Sequence, residues 1–206
     1  MQSPVTRILS QIAASLLLAL IATMSGCVSN QPPLPTPEKV DLEKFMGAWF
    51  VQGYTPILVD KKAHNAVEHY YLCPKGRIQT TYQFRDGGFD GALKTYKPKG
   101  FPDADDSSNA VWQMQFIWPF KADYVIMYLS EDYQNTIIAH PSRQYAWIMN
   151  RDTEMSDTLY NSLMEKLTDA GYQADAIQRL PQNWESDLER LKEIREVGST
   201  APLAER

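Results

Sequence analysis

Between residues 48 and 149 the chain repeats one pattern, short runs of aromatic and β-branched residues broken by turn residues. The clearest run is Val111-Trp112-Gln113-Met114-Gln115-Phe116, where Trp112, Met114 and Phe116 alternate with Gln113 and Gln115. Period-two alternation gives a strand one apolar and one wet face. Comparable runs occupy 48–52, 67–72, 77–82, 89–94, 124–129, 136–139 and 144–149. Pro74-Lys75-Gly76 and Asp86-Gly87-Gly88 interrupt them, glycine supplying the positive φ of tight turns. Eight strands at hairpin spacing predict an all-β domain, an antiparallel up-and-down meander or barrel rather than βαβ units. A barrel of that size either fills itself with side chains or holds one small ligand.

The period changes after residue 156. Ser156 is placed to cap a helix whose stripe is Leu159, Tyr160, Leu163, Met164 and Leu167, and Gly171 ends it. This α-helix should pack outside the sheet. Beyond Pro181, Trp184, Leu188, Leu191 and Ile194 share one face of a short extra helix. Its acidic Glu185, Asp187 and Glu189 precede basic Lys192 and Arg195, in line with the helix dipole. That helix either docks on its own domain or recruits a partner; a polar face that is not predominantly basic disfavours a membrane. Residues 198–206 read as frayed.

The N-terminal end follows a third pattern. An apolar run over 12–22 has the length of a signal-peptide core and is too short to span a bilayer. Four prolines within 29–37 then predict an extended tether. The expected organisation is a leader over 1–26, a tether over 27–39, one domain over 40–181 and a helical extension over 182–206.

A net charge of −5 argues against nucleic acid, which needs a basic stripe. The three histidines, His64, His69 and His140, are scattered, and no HExxH, GxSxG or CxxC is present. Residues 103–108 are acidic but lack calcium-loop spacing. No catalytic residue, metal or cofactor is therefore expected. Cys73, at a strand end, reads as a small half-buried hydrophobe.

Two resemblances sharpen this reading. Met24-Ser25-Gly26-Cys27 resembles the lipobox of bacterial lipoproteins, with Met24 in place of the usual Leu. It implies that Cys27 is acylated and becomes the N-terminus, anchoring the protein to a membrane. Val28 stands where that family's inner-membrane retention signal has Asp, which implies the periplasmic face of the outer membrane. The second resemblance lies within the domain. Gly47-x-Trp49 after Asp41, Asp132-Tyr133 with Glu131 in place of Thr, and 145–151 ending in Arg151 resemble the three lipocalin signatures in order and spacing.

The lipocalin resemblance implies an eight-stranded up-and-down barrel with one C-terminal α-helix packed outside. It implies that Trp49 closes the barrel with Arg151 across it, and that Gly47 allows close backbone approach. Strand parity carried over from the family turns Tyr70, Tyr124, Ile126, Tyr128, Tyr145 and Trp147 inward with Trp112, Met114 and Phe116, as a ligand cavity; Glu68 follows Tyr70. Residues 54–65 would form a rim or lid. The implied function is storage or transport of small hydrophobic or amphipathic molecules, fatty acids or lysophospholipids, with no enzymatic activity. A homodimer stays open, and so does the alternative of a filled barrel that recruits a protein partner through its C-terminal helix.

Overall fold

The computed structural model describes residues 31–204, so the predicted leader and Cys27 lie outside the described residues. A short helix α1 (Leu42–Phe45) leads into β1 (Gly47–Tyr54), β2 (Ala63–Leu72), β3 (Ile78–Asp86), β4 (Ala92–Tyr96) and β5 (Lys99–Pro102). The chain continues through β6 (Val111–Ile117), β7 (Phe120–Leu129), β8 (Asn135–Ala139) and β9 (Ala146–Asn150). Helix α2 (Asp157–Asp169), the short strand β10 (Gln178–Arg179) and helix α3 (Leu188–Val197) complete it.

Neighbouring strands pair antiparallel, and β9 returns to β1, which closes the sheet into a barrel. β4 and β5 share one wall position: β4 pairs with residues 82–86 of β3, and β5 with Ile78 and Gln79. The barrel therefore has eight wall positions, as the turn spacing predicted. β5 escaped the pattern because Gly100 and Pro102 read as turn residues. A Cβ on Gly100 would meet Ile78 Cβ at 3.2 Å, so the glycine serves a close strand approach. Up-and-down connectivity puts α1 and residues 73–77, 103–110 and 130–134 at one end. Residues 55–62, 87–91, 117–119 and 140–145 lie at the other.

Apolar residues form layers on both sides of the wall. Inside, Phe45, Trp49, Tyr70, Ile78, Trp112, Met114, Tyr124, Ile126 and Met149 join one cluster. Outside, Leu163 and Leu167 of α2 lie on Met127, Ile137, Ala139 and Ile148. Ser156 Oγ accepts from Leu159 N, capping α2, and Gly171, at φ +94°, ends it.

The extra helix also belongs to the barrel. Trp184, Ile194 and Leu203 are buried against Phe50 and Val67. Arg85 and Arg190 both bind the Asp187 carboxylate, at 2.6 and 2.7 Å. Burial works against that carboxylate, yet the two guanidiniums hold it below its usual range. Residues 198–204 are not frayed. Gly198 O meets His69 Nε2 at 2.6 Å, Gln83 Nε2 donates to Ala204 O, and Leu203 is buried. Anchors at 198, 203 and 204 are too irregularly spaced to leave a periodicity to read.

Tyr128 departs from its expected inward position. A bulge between Ile126 and Tyr128 shifts the β7–β8 register, which reverses the parity of the following residues. Tyr128 packs in the outer layer with Lys166 Nζ 4.8 Å from its ring, and Leu129 packs inward instead.

Candidate functional site

At the closed end, Asp41 Oδ1 accepts from Lys44 N and starts α1. This brings Phe45 against Trp49, with ring centroids 5.0 Å apart, and Trp49 Nε1 donates to Phe45 O. The Arg151 guanidinium lies 3.8 Å from the Trp49 ring centroid. It donates to the carbonyls of Lys44, Phe45 and Ala48 at 2.7–2.9 Å. Burial pushes Arg151 down to about 10, so it stays charged at neutral pH. Gly47, at φ +92°, passes beneath it, and a Cβ there would meet Arg151 Nη1 at 3.4 Å. Asp132 accepts from Ser130 Oγ and Gln134 N and so shapes the adjoining turn. Tyr133 Oη accepts from Asp41 N. These five signature residues build the closed end, and on its outer side Gly47, Asp132, Tyr133 and Arg151 line a shallow surface recess of about 640 Å³ that does not enter the barrel.

Above that plug the barrel interior is polar in one place. Glu68 is buried, and its carboxylate accepts from the hydroxyls of Tyr70 and Tyr124. The two tyrosine hydroxyls also bond to each other. Burial raises the Glu68 pKa to about 7 against the opposing pull of the two tyrosines, and Asp60 adds to the rise. Asp60 is buried too. It accepts from Ile57 N at 2.8 Å and from Tyr82 Oη at 3.2 Å. Burial raises its pKa against those bonds. Sequence reasoning passed over Asp60, because a single Asp before Lys61-Lys62 looks like a solvated loop residue.

The recess lies at the open end, over this polar layer. It has a volume of about 370 Å³ and is walled by Ile57, Leu58 and Val59 on one side and by Phe116, Tyr145 and Trp147 on the other. Tyr124 forms part of its floor, and Asp123 and His140 stand at its edge. Four of the expected cavity residues therefore meet: Phe116, Tyr124, Tyr145 and Trp147. Phe116 and Tyr145 are half exposed at the rim instead of enclosed. Tyr70, Trp112, Met114 and Ile126 do face inward but are packed into the filled lower barrel, where Phe45 abuts Trp112 with centroids 5.5 Å apart. The 54–65 segment supplies a wall of the recess through Ile57, Leu58 and Val59.

Chemically, the recess presents hydrocarbon and aromatic surface above carboxylates and hydroxyls. Among the described residues no three His, Cys, Asp or Glu side chains converge as a metal site. In the acidic 103–108 loop, Asp106 caps the backbone N–H groups of Ala110 and Val111 at 2.9 Å. No described helix is long and apolar enough to cross a membrane.

Comparison with known proteins agrees with this architecture. The model of a lipocalin-like domain matches residues 40–182. The chain is 28% identical over 149 residues to temperature-induced lipocalin-1 of Arabidopsis thaliana, covering 70% of this chain and 80% of the relative. It is 24% identical over 184 residues to the outer membrane lipoprotein Blc of Citrobacter freundii, covering 83% and 95%. Insecticyanin of the tobacco hornworm Manduca sexta superposes with a TM-score of 0.59 at 14% identity, over 76% of this chain and 87% of that one. With signature residues, closed barrel and family match in agreement, the chain belongs to the lipocalin family.

Proposed function

We propose that the protein binds a small amphipathic molecule with a hydrocarbon chain, a fatty acid or lysophospholipid, while anchored through acylated Cys27 at the periplasmic face of the outer membrane. The observation that carries this reading is the open-end recess, apolar on its walls, with Tyr124 at its floor and the buried Glu68 bonded to the Tyr124 hydroxyl behind it. Glu68 and Asp60 disfavour an anionic head at depth. The chain of the ligand therefore enters first, and its head stays at the rim beside the Tyr145 hydroxyl and His140. Hydrophobic burial supplies the affinity, about 0.8 kcal/mol per methylene enclosed. The outer membrane lipoprotein Blc supports the location by its name. The alternative, a partner recruited by the C-terminal helix, is less well supported, because Trp184 and Ile194 already lie against the barrel.

The direct test strips the protein of lipid and titrates it with a fluorescent fatty acid. Saturable uptake in the micromolar range is expected, and its absence rejects the reading. Trp147→Asp should weaken uptake tenfold or more while the barrel's circular dichroism is retained. Trp112 is unsuitable for this test, since its burial in the filled end makes any polar change a folding defect. Mass spectrometry of the native protein should find acyl groups on Cys27, separately from any extracted guest.

A further inference from the structure

The recess opens between two apolar tips that no other described residue covers. Ile117, Trp118 and Phe120 at the β6–β7 turn are 72%, 82% and 75% exposed, and Leu58 on the opposite tip is 85% exposed. Phe116, on the same hairpin, is also exposed. An apolar patch this concentrated marks an interaction surface. We propose that the open end of the barrel docks on a lipid bilayer, with the β6–β7 turn and Leu58 set into the headgroup region and the recess facing the membrane. The inference goes beyond ligand binding and does not depend on what the recess holds.

Three observations select a bilayer over another occupant. The first is charge. Exposed Lys61 and Lys62 follow Leu58 and Val59, and exposed Lys121 follows Phe120 with its Nζ 4.0 Å from the Phe101 ring. Lysines set just behind apolar tips suit anionic headgroups. Of the carboxylates near them, Asp60 is buried, while Asp123 is exposed and accepts from the Gln113 amide. A second copy of this chain, docking by the same face, would set these lysines against each other. The second is chemistry at the tip. Trp and Phe are interfacial residues, and Ile117 pairs with Phe120 across the turn, so the hairpin brings paired backbone to the membrane surface. The third is position. Ile57, Leu58, Val59 and Phe116 both line the recess and border the exposed patch, so an amphiphile would pass between bilayer and recess along continuous apolar surface.

The test places the photoreactive residue p-benzoylphenylalanine at Trp118 in the full-length chain. The protein is reconstituted on vesicles of phosphatidylethanolamine and phosphatidylglycerol, irradiated and analysed by mass spectrometry. Phospholipid adducts at position 118 are expected, several-fold more abundant than with the same residue at Lys75 on the closed-end turn. Excess free fatty acid should leave them unchanged, because Trp118 does not line the recess. Equal yields at both positions, or adducts that fatty acid competes away, would overturn the proposal. Covalent dimers in place of lipid adducts would overturn it in favour of a self-interface. A failed fatty-acid titration with position 118 still crosslinked to lipid would reject only the ligand reading.

Discussion

Glu68 sits inside the barrel with two tyrosine hydroxyls as partners instead of a cation. With its folded pKa near 7 against an ordinary 4.5, the native state binds a proton more tightly than the unfolded chain does. Stability from this group is present below the unfolded pKa and is lost as pH rises through about 7. The loss amounts to about 3 kcal/mol. Glu68→Gln should therefore be more stable than the parent at pH 8 and close to it at pH 4, as read by urea denaturation at both. An unchanged difference between the two pH values would reject the buried-acid account. Arg151 makes the opposite case, a charge held by carbonyls and an aromatic face. Arg151→Ala should cost about 2–4 kcal/mol by the same measurement, and Arg151→Lys should recover less than half, because an ammonium cannot span several carbonyls at once. Arg151 and Trp49 were legible from spacing and resemblance together. The tyrosine–carboxylate network was only half legible: parity put Glu68 and Tyr70 on one face, but nothing local brings Tyr124 or Asp60 to them.

At the level of elements, β1 to β4, β6 to β9, α2 and the turn signals were readable, since each carries its own period. Three features were not, and each has a local cause. α1 is too short to show a stripe. β5 is written in turn residues. The bulge after Ile126 turns Tyr128 outward without altering composition at all, because parity arguments assume an unbroken register. The C-terminal helix was recognised from its apolar face, but periodicity alone cannot say what covers that face. Its docking predicts that Ile194→Ala costs about 2–4 kcal/mol. Truncation after Pro181 should destabilise further and expose Phe50 and Val67 to a hydrophobic dye. Full stability of the Ile194→Ala protein would mean that α3 is not held on the barrel in solution.

Taken whole, the barrel is divided along its length, and that division sets what it can hold. Alternation in a strand reports which side of the wall a residue faces and carries no information about depth. Trp112 and Phe116 share a face of β6, yet the first is sealed in the plug and the second stands at the rim. Nine residues expected to line one cavity thus separate into a packed lower set, a rim set and Tyr128 outside. The consequence for binding is a length limit. Each methylene added to a linear fatty acid should tighten binding up to about fourfold, the equivalent of 0.8 kcal/mol, for as long as it finds wall to cover. Once the chain reaches Tyr124 the gain should stop, because its hydroxyl is bonded to Glu68 and the space below is filled. Tyr124→Ala removes the ring at the floor and opens room toward Tyr70 and Trp112, so the plateau should move to longer chains. A homologous series titrated against parent and variant measures both. An affinity that keeps rising with chain length in the parent would show that ligands do not end at Tyr124, and a plateau unmoved in Tyr124→Ala would place the floor elsewhere.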